Sequence, residues 1–213
     1  MENSTQLAAM SVREFIELLA SNAPAPGGGS ASAVAGAMGI GLASMAAGLT
    51  VGKPKYAEHD EVMSTIISDS APLLKEMTDG IDRDTDAFNG VTAVFKMPKS
   101  NDDEKAARKA AMQEALKNAA LVPFGLLLNC EKALLILKEG VGRINPNCYS
   151  DLGSGAANLE SAAKGAWLNV LINIGGLTDK AFAEDLRIRG KAAFDSCISV
   201  AEQVFNEVLR QIT

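Results

Sequence analysis

The run SASAVAGAMGIGLASMAAGLTVG, from Ser30 to Gly52, decides the fold. Most of its positions are Ala, Gly, Ser or Thr, and its larger apolar groups are Val34, Met38, Ile40, Leu42, Met45, Leu49 and Val51. No charged residue occurs between Leu18 and Gly52. A charge-free run of that length raises the question of a membrane span, but its large apolar groups are too few for firm insertion. The composition suits a helix buried in the middle of a larger bundle, whose small side chains let neighbouring helices come close. The breaker cluster Pro24-Ala25-Pro26-Gly27-Gly28-Gly29 leads into this helix, and Gly52, with Pro54 beyond, punctuates its end.

Outward from this run the apolar spacing is helical, and no alternating stretch is long enough for a strand. The fold class expected is all-α, a helical bundle with the small-residue helix at its centre and the others around it. Upstream, Ser11-Val12-Arg13-Glu14 has capping-box spacing, and Phe15, Leu18 and Leu19 share a face of a first helix that ends before Pro24. Downstream, a third helix from His59 to Phe95 places Ile66, Leu73, Met77, Ile81, Phe88, Val91 and Phe95 in one buried stripe, with a kink at Pro72. Ser100 with Asp103 offers the cap of a fourth helix. That helix is charged at first through Lys105, Arg108 and Lys109, becomes apolar after Leu121, bends at Pro123 and stops near Gly140 or Gly142. A turn at Asn145-Pro146-Asn147 precedes a fifth helix, capped by Ser150 or Asp151, which carries Trp167, Leu168, Leu171 and Ile172 and closes at Gly175-Gly176. Thr178 and Asp179 open a final helix to Gln211.

The 213 residues suit a single domain over 1–213. A net charge of -6 lacks the basic footprint of a nucleic-acid binder, so the expected partners are small molecules or protein, with no nucleic acid and no membrane. Cys130, Cys148 and Cys197 are odd in number and far apart, which argues against a disulfide framework and for a reducing compartment. The first ten residues have no basic segment followed by an apolar run, so no signal peptide is expected and the cytoplasm is the default location. With one histidine, His59, and no Cys-x-x-Cys pair, no metal site is expected. His59 stands between Glu58 and Asp60 and reads as a surface residue.

Four groups of residues are candidates for chemistry. Gly27-Gly28-Gly29-Ser30, directly before a helix, offers backbone N–H groups and the positive helix end to an anion or a polar ring edge; the alternative is a tight turn. If backbone approaches substrate there, Gly28 and Gly29 must lack side chains. Asp84 falls on the apolar face between Ile81 and Phe88, whereas Asp79, Asp82 and Asp86 point largely to solvent. A carboxylate on such a face is either paired, with a lysine or with backbone amides, or used in chemistry. Lys53, Lys55 and Tyr56, just past the central helix, either offset its negative end or bind anions and move protons. Asn169 and Asn173, one turn apart in an apolar run, fit the polar edge of a ring or a cross-link between helices. Asn145, Asn147, Ser150 and Asp151 form a polar turn whose simplest meaning is a helix cap.

Five segments in order, PAPGGGSAS from Pro24, LTVGKPKY from Leu49, Asp84-x-Asp-Ala-Phe88, Asn145-x-Asn-x-x-Ser-Asp-x-Gly153 and Leu168-Asn-Val-x-x-Asn173, resemble the formiminotetrahydrofolate cyclodeaminase/methenyltetrahydrofolate cyclohydrolase family. The match covers nearly the whole chain, and the stretch from Pro98 to Arg108 looks most like the free-standing bacterial cyclohydrolases. No separate formiminotransferase domain is expected. The resemblance implies a homodimer and a folate site near the glycine-rich loop and the dimer contact, with a tetrahydrofolate derivative as substrate and no bound cofactor. It implies a cyclohydrolase that opens 5,10-methenyltetrahydrofolate to 10-formyltetrahydrofolate. The alternatives are a cyclodeaminase that closes 5-formiminotetrahydrofolate with loss of ammonia, and a folate-binding helical protein without catalysis. Asp84, Lys53 and Tyr56 are the catalytic candidates; Gly27, Gly28, Gly29, Ser30, Lys55, Asn145, Asp151, Asn169 and Asn173 are the substrate-binding ones.

Overall fold

Helix α1, Val12–Leu19, begins where its capping box predicts. The Ser11 hydroxyl accepts the Glu14 N–H at 3.2 Å, and the Glu14 carboxylate accepts the Ser11 N–H at 2.8 Å. Two donors that a helix start leaves unpaired are thereby satisfied. The computed structural model describes residues 6–213, among which there is no strand. Five longer helices follow: α2, Gly28–Gly48; α3, Asp60–Phe95; α4, Asp102–Glu139; α5, Tyr149–Gly175; and α6, Lys180–Ile212.

Helix α2 lies between α3 and α5, with α4 behind it. Its small residues set how close those neighbours come. A Cβ on Gly39 would stand 2.8 Å from the Gly155 carbonyl oxygen, and a Cβ on Gly155 would stand 3.0 Å from that of Gly39. The two backbones thus touch, and any side chain at either position would part the helices. Around this contact Ile40, Met63, Met77, Leu127, Leu134, Leu137 and Leu159 are sealed from solvent, each burial being worth about 1.5–3 kcal/mol. A second cluster, including Phe124, Val170, Ile174 and Leu186, joins α4, α5 and α6. All three cysteines are buried thiols. By length and composition α2 and the apolar part of α4 could cross a membrane; here both lie against the other helices of the bundle.

The bundle covers α2 on three sides. On the fourth, Met38, Met45 and Leu49 are 51%, 42% and 45% exposed, and Leu74 of α3, which reaches Gly41, extends the apolar stripe.

Several boundaries differ from the sequence reading. Helix α2 stops at Gly48, and Gly52, with φ of 74°, makes the turn that follows. Asn101 rather than Ser100 caps α4: its side chain accepts the Glu104 N–H at 2.9 Å, and Glu104 in return accepts the Ser100 N–H. Helix α5 starts at Tyr149, ahead of Ser150 and Asp151, because a 3-10 turn, Pro146–Cys148, feeds straight into it; that turn is capped by the Asn145 side chain. The far end of α3 buries Ala87 and Val94, leaving Phe88 and Phe95 exposed, and on α5 Leu168 and Ile172 are exposed while Ala162, Ala163 and Ala166 are buried. Asp82 does not face solvent alone: it accepts the N–H groups of Leu7 and Ala8.

Candidate functional site

Gly27, at the N-cap position before α2, has no side chain with which to cap the helix. Asp84, from the middle of α3, takes that place. Its Oδ2 accepts the Ser30 N–H at 2.9 Å and the Ser30 hydroxyl at 3.1 Å, putting a carboxylate against the positive end of α2. The Ser30 hydroxyl is itself buried and also meets the Ile81 carbonyl at 2.8 Å and the Thr85 hydroxyl at 3.2 Å. The close approach explains one glycine of the three: a Cβ on Gly29 would overlap the Asp84 carboxyl group. A Cβ on Gly28 would meet only the Asn169 amide at 3.5 Å, an ordinary contact, and one on Gly27 would meet nothing. The steric requirement within the chain therefore falls on Gly29.

No cation pairs with Asp84 among the described residues. Burial pushes its carboxyl above the ordinary carboxylate range, against the lowering effect of the Ser30 hydrogen bonds. Asp84 also separates two clefts. One, of about 360 Å³, is lined by the glycine turn, Asp84, Phe88, Asn169 and Asn173; the other, of about 230 Å³, is lined on its far side by Arg83, Glu76 and Asn129. The larger has the volume of a small-molecule site.

The two asparagines are held by different means. Asn169 Nδ2 donates to the Gly165 carbonyl of its own helix at 2.9 Å. Asn173 Nδ2 donates to the Ala119 carbonyl of α4 at 2.7 Å. Four residues after Ala119 stands Pro123, which has no N–H to offer, so Asn173 satisfies the carbonyl that the proline leaves free. This is the expected cross-link between helices, and both asparagines also line the cleft.

Gly27, Gly28, Gly29, Ser30, Asp84, Asn169 and Asn173 are thus brought together. Lys53, Lys55, Tyr56, Asn145 and Asp151 form a second group at the other end of α2. There the Tyr56 hydroxyl lies 3.3 Å from Asn145 Oδ1, the Asn145 N–H donates to the Thr50 hydroxyl at 2.9 Å, and Lys55 Nζ sits 5.4 Å from the Tyr56 ring centre. Cys148 lies near Asp151 and Lys53, its thiol pKa raised by burial and by Asp151, with Lys53 opposing. Since α2 has 21 residues, the two groups are separated by about 30 Å within one chain. Sequence reasoning missed Thr50, which ties this turn to α2, and Thr85, which shares the Ser30 hydroxyl; Thr85 neighbours the singled-out Asp84 and could have been found from it.

The sequence pattern of the formiminotransferase-cyclodeaminase family matches residues 11–192, which contain both groups. The chain belongs to that family. It is 40% identical over 174 residues to a methenyltetrahydrofolate cyclohydrolase of Methylorubrum extorquens, with 82% of this chain and 84% of that one covered. To the formimidoyltransferase-cyclodeaminase of Rattus norvegicus it is 35% identical over 179 residues, covering 84% of this chain and 33% of the rat protein. The chain therefore spans about a third of that relative. The crystal structure of a formiminotetrahydrofolate cyclodeaminase from Thermotoga maritima superposes with a TM-score of 0.78 at 27% identity, covering 95% of this chain and 96% of that one. The all-helical bundle is thus a fold that this chain has in common with another member of the formiminotransferase-cyclodeaminase family.

Proposed function

We propose that the chain is a methenyltetrahydrofolate cyclohydrolase. The observation that carries this reading is Asp84: half-buried, unpaired with any cation among the described residues, held by Ser30 and opening onto a cleft. A carboxylate so placed favours a cationic ligand, and the N5–C–N10 amidinium of 5,10-methenyltetrahydrofolate is one. Asp84 stabilises that charge and takes a proton from the water that attacks the bridging carbon. The tetrahedral adduct then collapses, the bond from carbon to N5 breaks, and N5 takes up a proton. The product is 10-formyltetrahydrofolate, with one proton released overall. Asn169 and Asn173 hold the pterin edge, and the amides of the glycine turn approach it from below.

The choice over cyclodeaminase activity rests on the Methylorubrum relative, which the chain covers along most of its length. The test is spectrophotometric: methenyltetrahydrofolate should disappear well above its spontaneous rate with 10-formyltetrahydrofolate as product. Release of ammonia from 5-formiminotetrahydrofolate, with no such acceleration, would install the cyclodeaminase reading instead. Saturable folate binding with neither reaction would leave a non-catalytic binding protein.

The same reading takes the chain as a cytoplasmic homodimer. The exposed stripe of Met38, Met45, Leu49 and Leu74 supports a second copy as its cover. A two-fold axis crossing the middle of α2 makes the paired helices antiparallel, and the Lys53–Tyr56 end of one copy then meets the Gly28–Asp84 end of the other. Lys53 and Tyr56 would serve as proton-transfer groups and Lys55 as a carboxylate ligand, with Asn145 and Asp151 holding their turn. Co-expressed Asp84→Asn and Lys53→Ala chains test this, since each mixed dimer keeps one unmutated site. Random pairing should restore about a quarter of wild-type turnover. Two inactive variants that stay inactive together would show that the groups do not cooperate across a dimer.

A further inference from the structure

The two clefts that meet at Asp84 share its carboxylate and Gly29, and their other walls differ. Both hydrogen bonds from Ser30 end on Asp84 Oδ2. Oδ1 accepts none from the described residues, and the space beside it is kept by Gly29, where a Cβ would overlap that oxygen. One oxygen therefore anchors the side chain, and the other stands free where the clefts adjoin.

The smaller cleft is built on one face of α3, where Glu76, Gly80 and Asp84 follow one another a turn apart. Arg83 folds back past Gly80, and its Nη2 donates to the Glu76 carbonyl at 2.6 Å and to the Glu76 carboxylate at 2.9 Å. That nitrogen lies 3.9 Å from where a Cβ on Gly80 would stand. The ion pair balances its own charge, so the cleft selects neither an anion nor a cation. On the α4 side the Asn129 amide has no hydrogen-bond partner among the described residues, and Gly125, one turn before it, leaves open space. The volume of about 230 Å³, against roughly 30 Å³ for one water in the liquid, gives room for several waters among polar groups that can hold them.

Hydrolysis with a folate seated needs a way in for water. A small-molecule site covers roughly 70–90% of its ligand, so a pterin against Asn169 and Asn173 closes the larger cleft over Asp84. We propose that the smaller cleft is the water port of the reaction, delivering the attacking water to Asp84 Oδ1 while the larger cleft is occupied. This rests on the hydrolytic reading above. The oxygen of the delivered water bonds to the bridging carbon, and one of its protons passes to Oδ1 and out to solvent past Glu76. The second proton leaves the adduct's hydroxyl as the bond from carbon to N5 breaks, and accounts for the one that N5 takes up. Arg83, Glu76 and Asn129 are positioning residues that hold the water and not the folate.

Gly80→Leu and Gly125→Leu plug the port from α3 and from α4; Gly90→Leu, on α3 and outside both clefts, controls for the exchange itself. Each plug should lower kcat for methenyltetrahydrofolate by about tenfold or more. KM, and Kd for 5-formyltetrahydrofolate, which has no amidinium to hydrolyse, should stay within about twofold of wild type. The control should keep all three. A second measurement needs no turnover. Asn129→Cys, in a chain whose own three thiols are buried, should react with iodoacetamide as fast with 5-formyltetrahydrofolate bound as without it. Unchanged kcat in folded plug variants, folate affinity lost along with kcat, or protection of the introduced thiol by bound folate would overturn the port while leaving the hydrolytic reading intact. If the wild type itself does not speed hydrolysis, that reading falls and the port falls with it, whatever the labelling shows.

Discussion

Asp84→Asn should keep its fold and lose turnover by about a hundredfold or more, the scale of general acid–base assistance. The substitution is nearly isosteric, and an asparagine oxygen can still accept the Ser30 N–H that Asp84 accepts at 2.9 Å. No salt bridge is broken, because no cation pairs with Asp84 among the described residues; pairing with Lys53 of the same chain is precluded by the length of α2. The effect on stability has a definite sign. Burial raises the folded-state pKa of Asp84, so the proton binds the native state more tightly than the unfolded one. That contribution is fully present below the ordinary carboxylate pKa and is lost as pH rises through the raised value. At neutral pH the asparagine variant, which cannot ionise, should therefore melt at or above the wild-type temperature. The pH profile of turnover gives a second check: the wild type should show an acidic limb centred above the ordinary carboxylate range, and the variant should lack it. Asp86→Asn, on the exposed side of α3, is the proper control, since Asp82 holds the N–H groups of Leu7 and Ala8. Near-normal turnover in a folded Asp84→Asn protein would remove Asp84 from the reaction.

Gly29→Ala should impair both turnover and stability, against what helix propensity alone dictates. Alanine inside a helix is favoured over glycine by about 0.5–1 kcal/mol. Here the added methyl group would overlap the Asp84 carboxyl, and overpacking of this kind costs about 1–3 kcal/mol. The steric cost outweighs the propensity gain, and the group that has to move is the one on which the proposed chemistry depends. Turnover should fall more than tenfold with a lower melting temperature, since a misplacement of about 1 Å in a catalytic group is felt strongly. Gly27→Ala, whose methyl group would meet nothing within 4 Å of the chain, should leave the melting temperature close to that of the wild type. Wild-type rate and melting temperature in Gly29→Ala would mean that Asp84 can shift freely and that its placement is not demanding.

Much of this was legible in the residues because it depends on local chemistry. The Ser11–Glu14 box, the Asp179 cap and the Pro and Gly stops follow from backbone groups that need partners near at hand. The position of Asp84 on the inner side of α3 followed from helical spacing, and of the two partners that the sequence allowed, a lysine or backbone amides, the second is found, in the Ser30 N–H at the start of α2. The reading failed on α3, where Phe88 and Phe95 were placed in the buried stripe: Ala87 and Val94 are covered there and both phenylalanines are exposed. On α5 too the inner face is made of small residues, Ala162, Ala163 and Ala166, because the backbones of α2 and α5 come close, and Leu168 and Ile172 point outward. Motif order also hid a distance. Lys53 follows the glycine turn closely in a list of motifs, but a straight helix of 21 residues stands between them.

The proline in α4 reaches further than a break in one hydrogen-bond ladder. Because Pro123 leaves the Ala119 carbonyl without its helical donor, the amide nitrogen of Asn173 is committed to that carbonyl at 2.7 Å. An asparagine side chain normally can exchange its two ends to suit whatever approaches. This one cannot, since turning it would strand a carbonyl at a cost of about 1–3 kcal/mol. One of its two N–H groups is spent inside the scaffold and the amide cannot turn, so its oxygen keeps a fixed place on the wall of the cleft, and a ligand group that pairs with that oxygen has to donate.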